Sequence, residues 1–99
     1  MAIPDDKLQE LREKVDIVEV VGRQVALKRA GKSFKGLCPF HQEKTPSFYV
    51  DPHRKSFKCF GCGEWGDALD FVQKTQGKSF LEAVRTLAES AGVSLPSAP

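Results

Sequence analysis

Gly36-Leu37-Cys38-Pro39-Phe40-His41 and Phe57-Lys58-Cys59-Phe60-Gly61-Cys62-Gly63 are the stretches on which the fold turns. Each holds two metal-ligating side chains with two residues between them, and 17 residues separate His41 from Cys59. This is the spacing of a two-knuckle zinc site, where each tight turn brings its pair to adjacent corners of a tetrahedron. Cys38, His41, Cys59 and Cys62 are therefore read as the ligands of one structural zinc ion. Four protein ligands leave a tetrahedral ion no position for water, which makes the site closed and part of the folding energy. Gly61 and Gly63 are expected to let the second turn take positive φ.

Other chemistries fit these residues less well. Cys59-x-x-Cys62 alone could be a redox pair, but it lacks a surrounding βαβ pattern and leaves Cys38 and His41 unexplained. His41-Gln42-Glu43 with Cys59 and Cys62 approaches a nucleobase-deaminase signature. There, however, Lys58 replaces the required proline, and Cys38 would displace the catalytic water. Buried free cysteines beside an unrelated histidine would not produce two matched pairs. His53, among Arg54 and Lys55, reads as an exposed turn residue.

Composition agrees with a small metal-stapled domain. The chain has 99 residues, 40% hydrophobic and 28% charged, a globular balance. A core of this size commonly needs a metal or disulfides, and an odd count of 3 cysteines argues for the metal. No apolar run is long enough to span a bilayer, and Met1–Asp6 carries no secretory pattern, so the expected compartment is the cytoplasm with no membrane partner.

The expected class is α+β: a zinc ribbon with a small antiparallel sheet of about four strands in two hairpins, flanked by helices. Leu8, Leu11 and Val15 mark a helix from about Asp5 to Lys14, and Asp16 caps a short one ending near Gly22. Val25–Arg29 and Lys32–Leu37 form the first hairpin; Ser47–Val50 and Ser56–Phe60 form the second, across Asp51–Lys55. Asp67 caps a helix running to Lys74. The last helix runs from Ser79 to about Ala91, opened by the Ser79-x-x-Glu82 box and stopped by Gly92. Val93–Pro99 is Ser/Pro-rich, giving one domain over residues 1–95 and the start of a linker at 96–99.

Charge is sorted along the chain. Val21–Lys58 holds nine basic and two acidic residues, a net +7, whereas the remainder holds six basic and eleven acidic, a net −5. The middle segment also interleaves cations with rings, among them Lys28, Arg29, Lys32, Phe34, Lys35, Tyr49, Lys58 and Phe60. Cations follow a phosphate backbone while rings stack on unpaired bases, so the mixture suits a single strand better than a duplex. About half of the rings are expected to be core instead, since strand residues alternate faces.

The run Gly36-Leu37-Cys38-Pro39-Phe40-His41-x-Glu43-Lys44-Thr45-Pro46-Ser47-Phe48, with Phe57-Lys58-Cys59-Phe60-Gly61-Cys62-Gly63, resembles the N-terminal zinc-binding domain of bacterial replicative DNA primases. Val15–Gly22 and Gly66–Phe71 are similar as well, so the likeness runs from about Pro4 to Leu95. It departs at Glu64-Trp65-Gly66, where the family often has smaller residues; Trp65 is read as packing locally.

The resemblance implies a module that binds single-stranded template DNA and helps select where RNA primer synthesis starts. It implies that catalysis, with a divalent metal such as Mg2+, resides in a separate polymerase domain, acting in cis or in trans. It further implies a helicase contact through another region, and a bacterial cytoplasmic setting at the replication fork. No catalytic residue is assigned here. Template contacts are expected at Lys28, Arg29, Lys32, Phe34, Lys58 and Phe60, with Lys44 beside the metal reaching a phosphate. A zinc-ribbon protein-interaction module without nucleic-acid contact is the alternative.

Overall fold

A computed structural model describes residues 3–42 and 44–94. The four helices are α1 (Asp5–Lys14), α2 (Ile17–Gly22), α3 (Ala68–Gln76) and α4 (Phe80–Ala91). The strands are β1 (Lys28–Ala30), β2 (Ser33–Gly36), β3 (Phe48–Asp51), β4 (Ser56–Cys59) and β5 (Trp65–Gly66). All five form one antiparallel sheet in sequence order, so each strand pairs with its neighbour in the chain.

The helix ends follow their side chains. Asp16 accepts from the Val18 and Glu19 amides, satisfying two orphan donors of α2. Ser79 and Glu82 close the expected capping box on α4, and Gly92 ends it at φ 73. Asp67 and Asp70 form a second box on α3, each side chain accepting from the other's amide at 3.0 Å. The first hairpin turns through Gly31, at φ 64, and Lys32. In the second, Asp51 accepts from the His53 and Arg54 amides. The Lys55 amine donates to the Arg12 and Glu13 carbonyls at the end of α1.

Three expectations change. A fifth strand, Trp65–Gly66, extends the four expected, paired through Phe57↔Gly66 and Lys58↔Trp65. The first strand begins at Lys28 rather than Val25, because the Val25 amide donates back to the Val21 carbonyl and its side chain is buried. Val93, read as the start of a Ser/Pro-rich tail, is buried, and its amide donates to the Ala88 carbonyl. The linker expected at 96–99 lies outside the described residues.

One core joins sheet and helices. Phe48, Val50, Phe57 and Cys59 point inward from β3 and β4 onto Phe71 and Val72 of α3. Leu11, Ile17, Val21, Val84 and Leu87 complete it from α1, α2 and α4. Phe40 adds a ring from the first knuckle, its centroid 5.8–6.1 Å from those of Phe48, Phe57 and Phe71.

Candidate metal centre and nucleic-acid interface

The two knuckles meet at one end of the sheet. The ligand atoms of Cys38, His41, Cys59 and Cys62 all lie within 4.8 Å of one another. Cys38 Sγ and Cys62 Sγ are 3.7 Å apart, and Cys59 Sγ is 4.0 Å from His41 Nδ1. With Zn–S bonds near 2.3 Å, two thiolates on a tetrahedral ion sit roughly 3.8 Å apart, so the cluster already has the required edge length. None of the three cysteines is in a disulfide. Three thiols with one imidazole form a soft donor set suited to zinc.

Local structure fixes this geometry. The Phe40 amide donates to Cys38 Sγ at 3.3 Å, while the Phe40 ring anchors the turn in the core. The Gly63 amide closes the second knuckle on the Cys59 carbonyl, and the Cys59 amide donates to the Glu64 carbonyl of the returning chain. Ser47 Oγ sits 3.6 Å from Cys59 Sγ. Burial pushes the Cys38 thiol up to about 12. Burial raises Cys59 too, but hydrogen bonds from Ser47 and from the Cys62 and Gly61 amides outweigh it and hold this thiol below its ordinary value.

The glycines of the second knuckle divide their roles differently than expected. Gly63 takes positive φ, at 81°, but Gly61 does not. Gly61 is needed for space: a Cβ there would stand 2.8 Å from Ser47 Oγ and 2.9 Å from His41 Nε2. Gly61→Ala is therefore expected to displace the His41 ring and weaken zinc retention roughly 10- to 100-fold, the range typical of disturbed ligand support. Competition with a chromophoric chelator measures it, and wild-type retention by this variant would refute the steric argument.

Register sorts the remaining candidate residues onto two faces. Directly opposed residues share a face. The pairs Lys28↔Lys35, Lys35↔Tyr49, Tyr49↔Lys58 and Lys58↔Trp65 run as one rung across all five strands on the side away from the core. Phe60 joins this face, its ring edge-on to Tyr49 at 5.4 Å and 5.3 Å from the Lys58 ammonium. Phe60 and Trp65 are 66% and 71% exposed, far too open to be core.

Of the residues chosen from sequence, Lys28, Lys58 and Phe60 lie on this outer face. Arg29 and Phe34 belong to the next rung, with Val50 and Phe57, on the inner side; there the Arg29 guanidinium covers the Phe34 ring at 5.8 Å. The reason is strand alternation: Arg29 follows Lys28 and faces the other way. Lys32 is at the tip of the first hairpin. Lys44 lines a groove of about 460 Å³ with Lys28, Lys35, Leu37 and Pro46, beside the basic end of the rung. His53 is exposed, as expected. Trp65, read as packing locally, instead stands open on the outer face, and Lys35 and Tyr49 occupy the centre of the rung. The parity of Lys35, Tyr49 and Lys58 within their strands was the available signal for two of these; a two-residue strand containing glycine offered none for Trp65.

Comparison with known proteins is consistent with this architecture. The CHC2 zinc finger model matches residues 3–98. A DNA primase of Myxococcus xanthus is 54% identical over 95 residues, covering 96% of the chain and 16% of the relative. A DNA primase of Thermotoga maritima is 52% identical over 93 residues, covering 94% of the chain and 16% of the relative. In the crystal structure of the Aquifex aeolicus primase, comprising zinc binding and RNA polymerase domains, the match has a TM-score of 0.86 at 42% identity. It covers 97% of this chain and 23% of that one. The chain thus spans about one-sixth of the length of the curated relatives it matches.

Proposed function

Because the chain belongs to the CHC2 zinc finger family, as the zinc-binding domain of a bacterial DNA primase, we propose that it binds single-stranded template DNA and helps select where RNA primer synthesis begins. The observation that carries this reading is the outer rung, in which three cations, Lys28, Lys35 and Lys58, share one face of the sheet with the rings of Tyr49 and Trp65. Ammonium groups at strand spacing neutralise phosphates, and the rings offer π-faces to unpaired bases. Reading a duplex would normally call for a helix or ribbon inserted in the major groove, whereas this face is an open sheet. The zinc has a structural part, holding β2, β4 and the β4–β5 turn so that the rung keeps its register.

In this reading the module is not itself catalytic. Primer synthesis, with a divalent metal such as Mg2+, belongs to a polymerase domain working with this one in cis or in trans. A helicase contact would involve a further region, and the setting is the bacterial cytoplasm at the replication fork. Among the described residues no helix is long and apolar enough to cross a membrane. The exposed Phe60 and Trp65 support a second reading, a protein-docking ribbon, in which crosslinks would go to the polymerase domain and not to DNA.

Anisotropy titrations of labelled single-stranded oligonucleotides of varied sequence, at two salt concentrations and with or without the polymerase domain, test the proposal. Binding should be weak for the module alone and strongly salt-dependent. Each of Lys28→Ala and Lys58→Ala should lower the log–log salt slope by about 0.7. If the double variant binds like the parent at both salts, the outer face is not the template surface.

A further inference from the structure

The outer rung is polarised. Lys28 and Lys35 occupy its β1–β2 end, whereas Tyr49, Phe60 and Trp65 cluster around Lys58 at its β3–β5 end. Four strand intervals separate Lys28 from Trp65, which at strand spacing is roughly 19 Å. We propose that Trp65 is the ring on which an unpaired template base stacks, while phosphates of the same strand are held at the Lys28–Lys35 end. The inference rests on the template-binding reading above and assigns a base-contacting residue within it.

Four features of the site support Trp65 in this role. It is the most exposed large apolar side chain described, at 71%. The adjoining Gly66 turns into the core, so strand alternation leaves the indole on the outer face. Its backbone is fixed at both sides. The Glu64 carbonyl takes the Cys59 amide of the zinc knuckle, and Gly66 packs so closely on the start of α3 that a Cβ would stand 2.5 Å from Asp70 Oδ2. The platform is therefore preorganised, which limits the ordering cost of binding.

Charge argues for a nucleic-acid base over an apolar protein surface. The rung carries Lys28, Lys35 and Lys58 and no acid. Glu64, the acid next to Trp65 in the chain, is paired with Lys74. Phe60 cannot replace Trp65 as the main platform, because Tyr49 and Lys58 already engage its ring. Phosphate charge thus has cations at one end and a base has an open indole at the other.

Trp65 is the only tryptophan, so its emission reports this position alone. The zinc-loaded chain should be titrated with labelled dT and dA oligonucleotides, following oligonucleotide anisotropy and indole emission together. The expected result is quenching that tracks the anisotropy. Trp65→Ala should weaken binding roughly 5- to 150-fold, the range for losing one stacked base, with the salt slope unchanged. Trp65→Phe should restore most of the affinity, and zinc content with melting temperature confirms that both variants fold. If anisotropy saturates while emission stays constant and Trp65→Ala binds like the parent, the stacking assignment fails and the template reading survives. If no oligonucleotide binds, with or without the polymerase domain, both fail. Quenching by the polymerase domain alone, with none by DNA, would also overturn the assignment by making Trp65 a protein contact.

Discussion

Cys59→Ser should yield a protein that neither retains stoichiometric zinc nor keeps its sheet. Cys59 is fully buried, pairs with Phe48 across β3–β4, and supplies one of the four ligands. A serine hydroxyl is a poor zinc donor, and the other three ligands, Cys38, His41 and Cys62, lie outside the strands, in the turns that the metal joins to one another. Structural zinc contributes about 10–16 kcal/mol in zinc-finger peptides near neutral pH. That matches or exceeds the 5–15 kcal/mol total stability of an ordinary domain. Chelation of the wild-type chain should have the same effect, seen as loss of cooperative melting and of sheet signal in circular dichroism. Acid should act in the same direction. Burial pushes the Cys38 thiol up to about 12, so ligation must release its proton, and lowering the pH favours the thiol and frees the metal. A Cys59→Ser protein holding one zinc per chain with an unchanged melting temperature would sink the claim that the ion organises this fold.

Phe71→Ala should be the most damaging substitution away from the metal, costing about 3–5 kcal/mol. Phe71 is fully buried on α3, with its ring centroid 5.7 Å from that of Phe57, 6.0 Å from Phe40 and 6.2 Å from Phe48. It is thus the point at which helix, sheet and first knuckle touch, and its removal opens a cavity against three rings. Phe40 lies between Cys38 and His41, so a loosened ring should also relax the ligand turn. The variant is expected to show a lower urea midpoint and a measurable drop in zinc affinity. A loss of less than about 1 kcal/mol, with zinc affinity intact, would mean that the aromatic cluster collapses around the gap and that knuckle and core are uncoupled.

Features set by near neighbours were legible in the chain. The bounds of α1, the Asp16 cap, the Ser79–Glu82 box and the Gly92 stop depend on residues within a turn of one another. The Asp67–Asp70 box was half legible, because Asp70 stands where the usual pattern has Glu or Gln. The ligand set was equally local, since each knuckle is a pair with two residues between its members. Its glycines were only partly readable: a positive φ is a backbone property, but the space that Gly61 leaves is set by His41 and Ser47, distant in sequence.

Local signals were enough to mark a Cys/His pair and a Cys/Cys pair as zinc ligands, to place the Asp16, Asp67 and Ser79 caps at the starts of α2, α3 and α4, and to show cations and rings filling the segment between α2 and α3. These follow from ligand spacing, periodicity and charge, which are local. Only the tertiary structure decided which of those cations and rings share a surface. A strand residue's face depends on its register with a partner strand, and a slip of one residue reverses it. That register put Arg29 and Phe34 on the inner face, added Trp65 through a strand too short to announce itself, and joined Lys28, Lys35, Tyr49 and Lys58 into one rung.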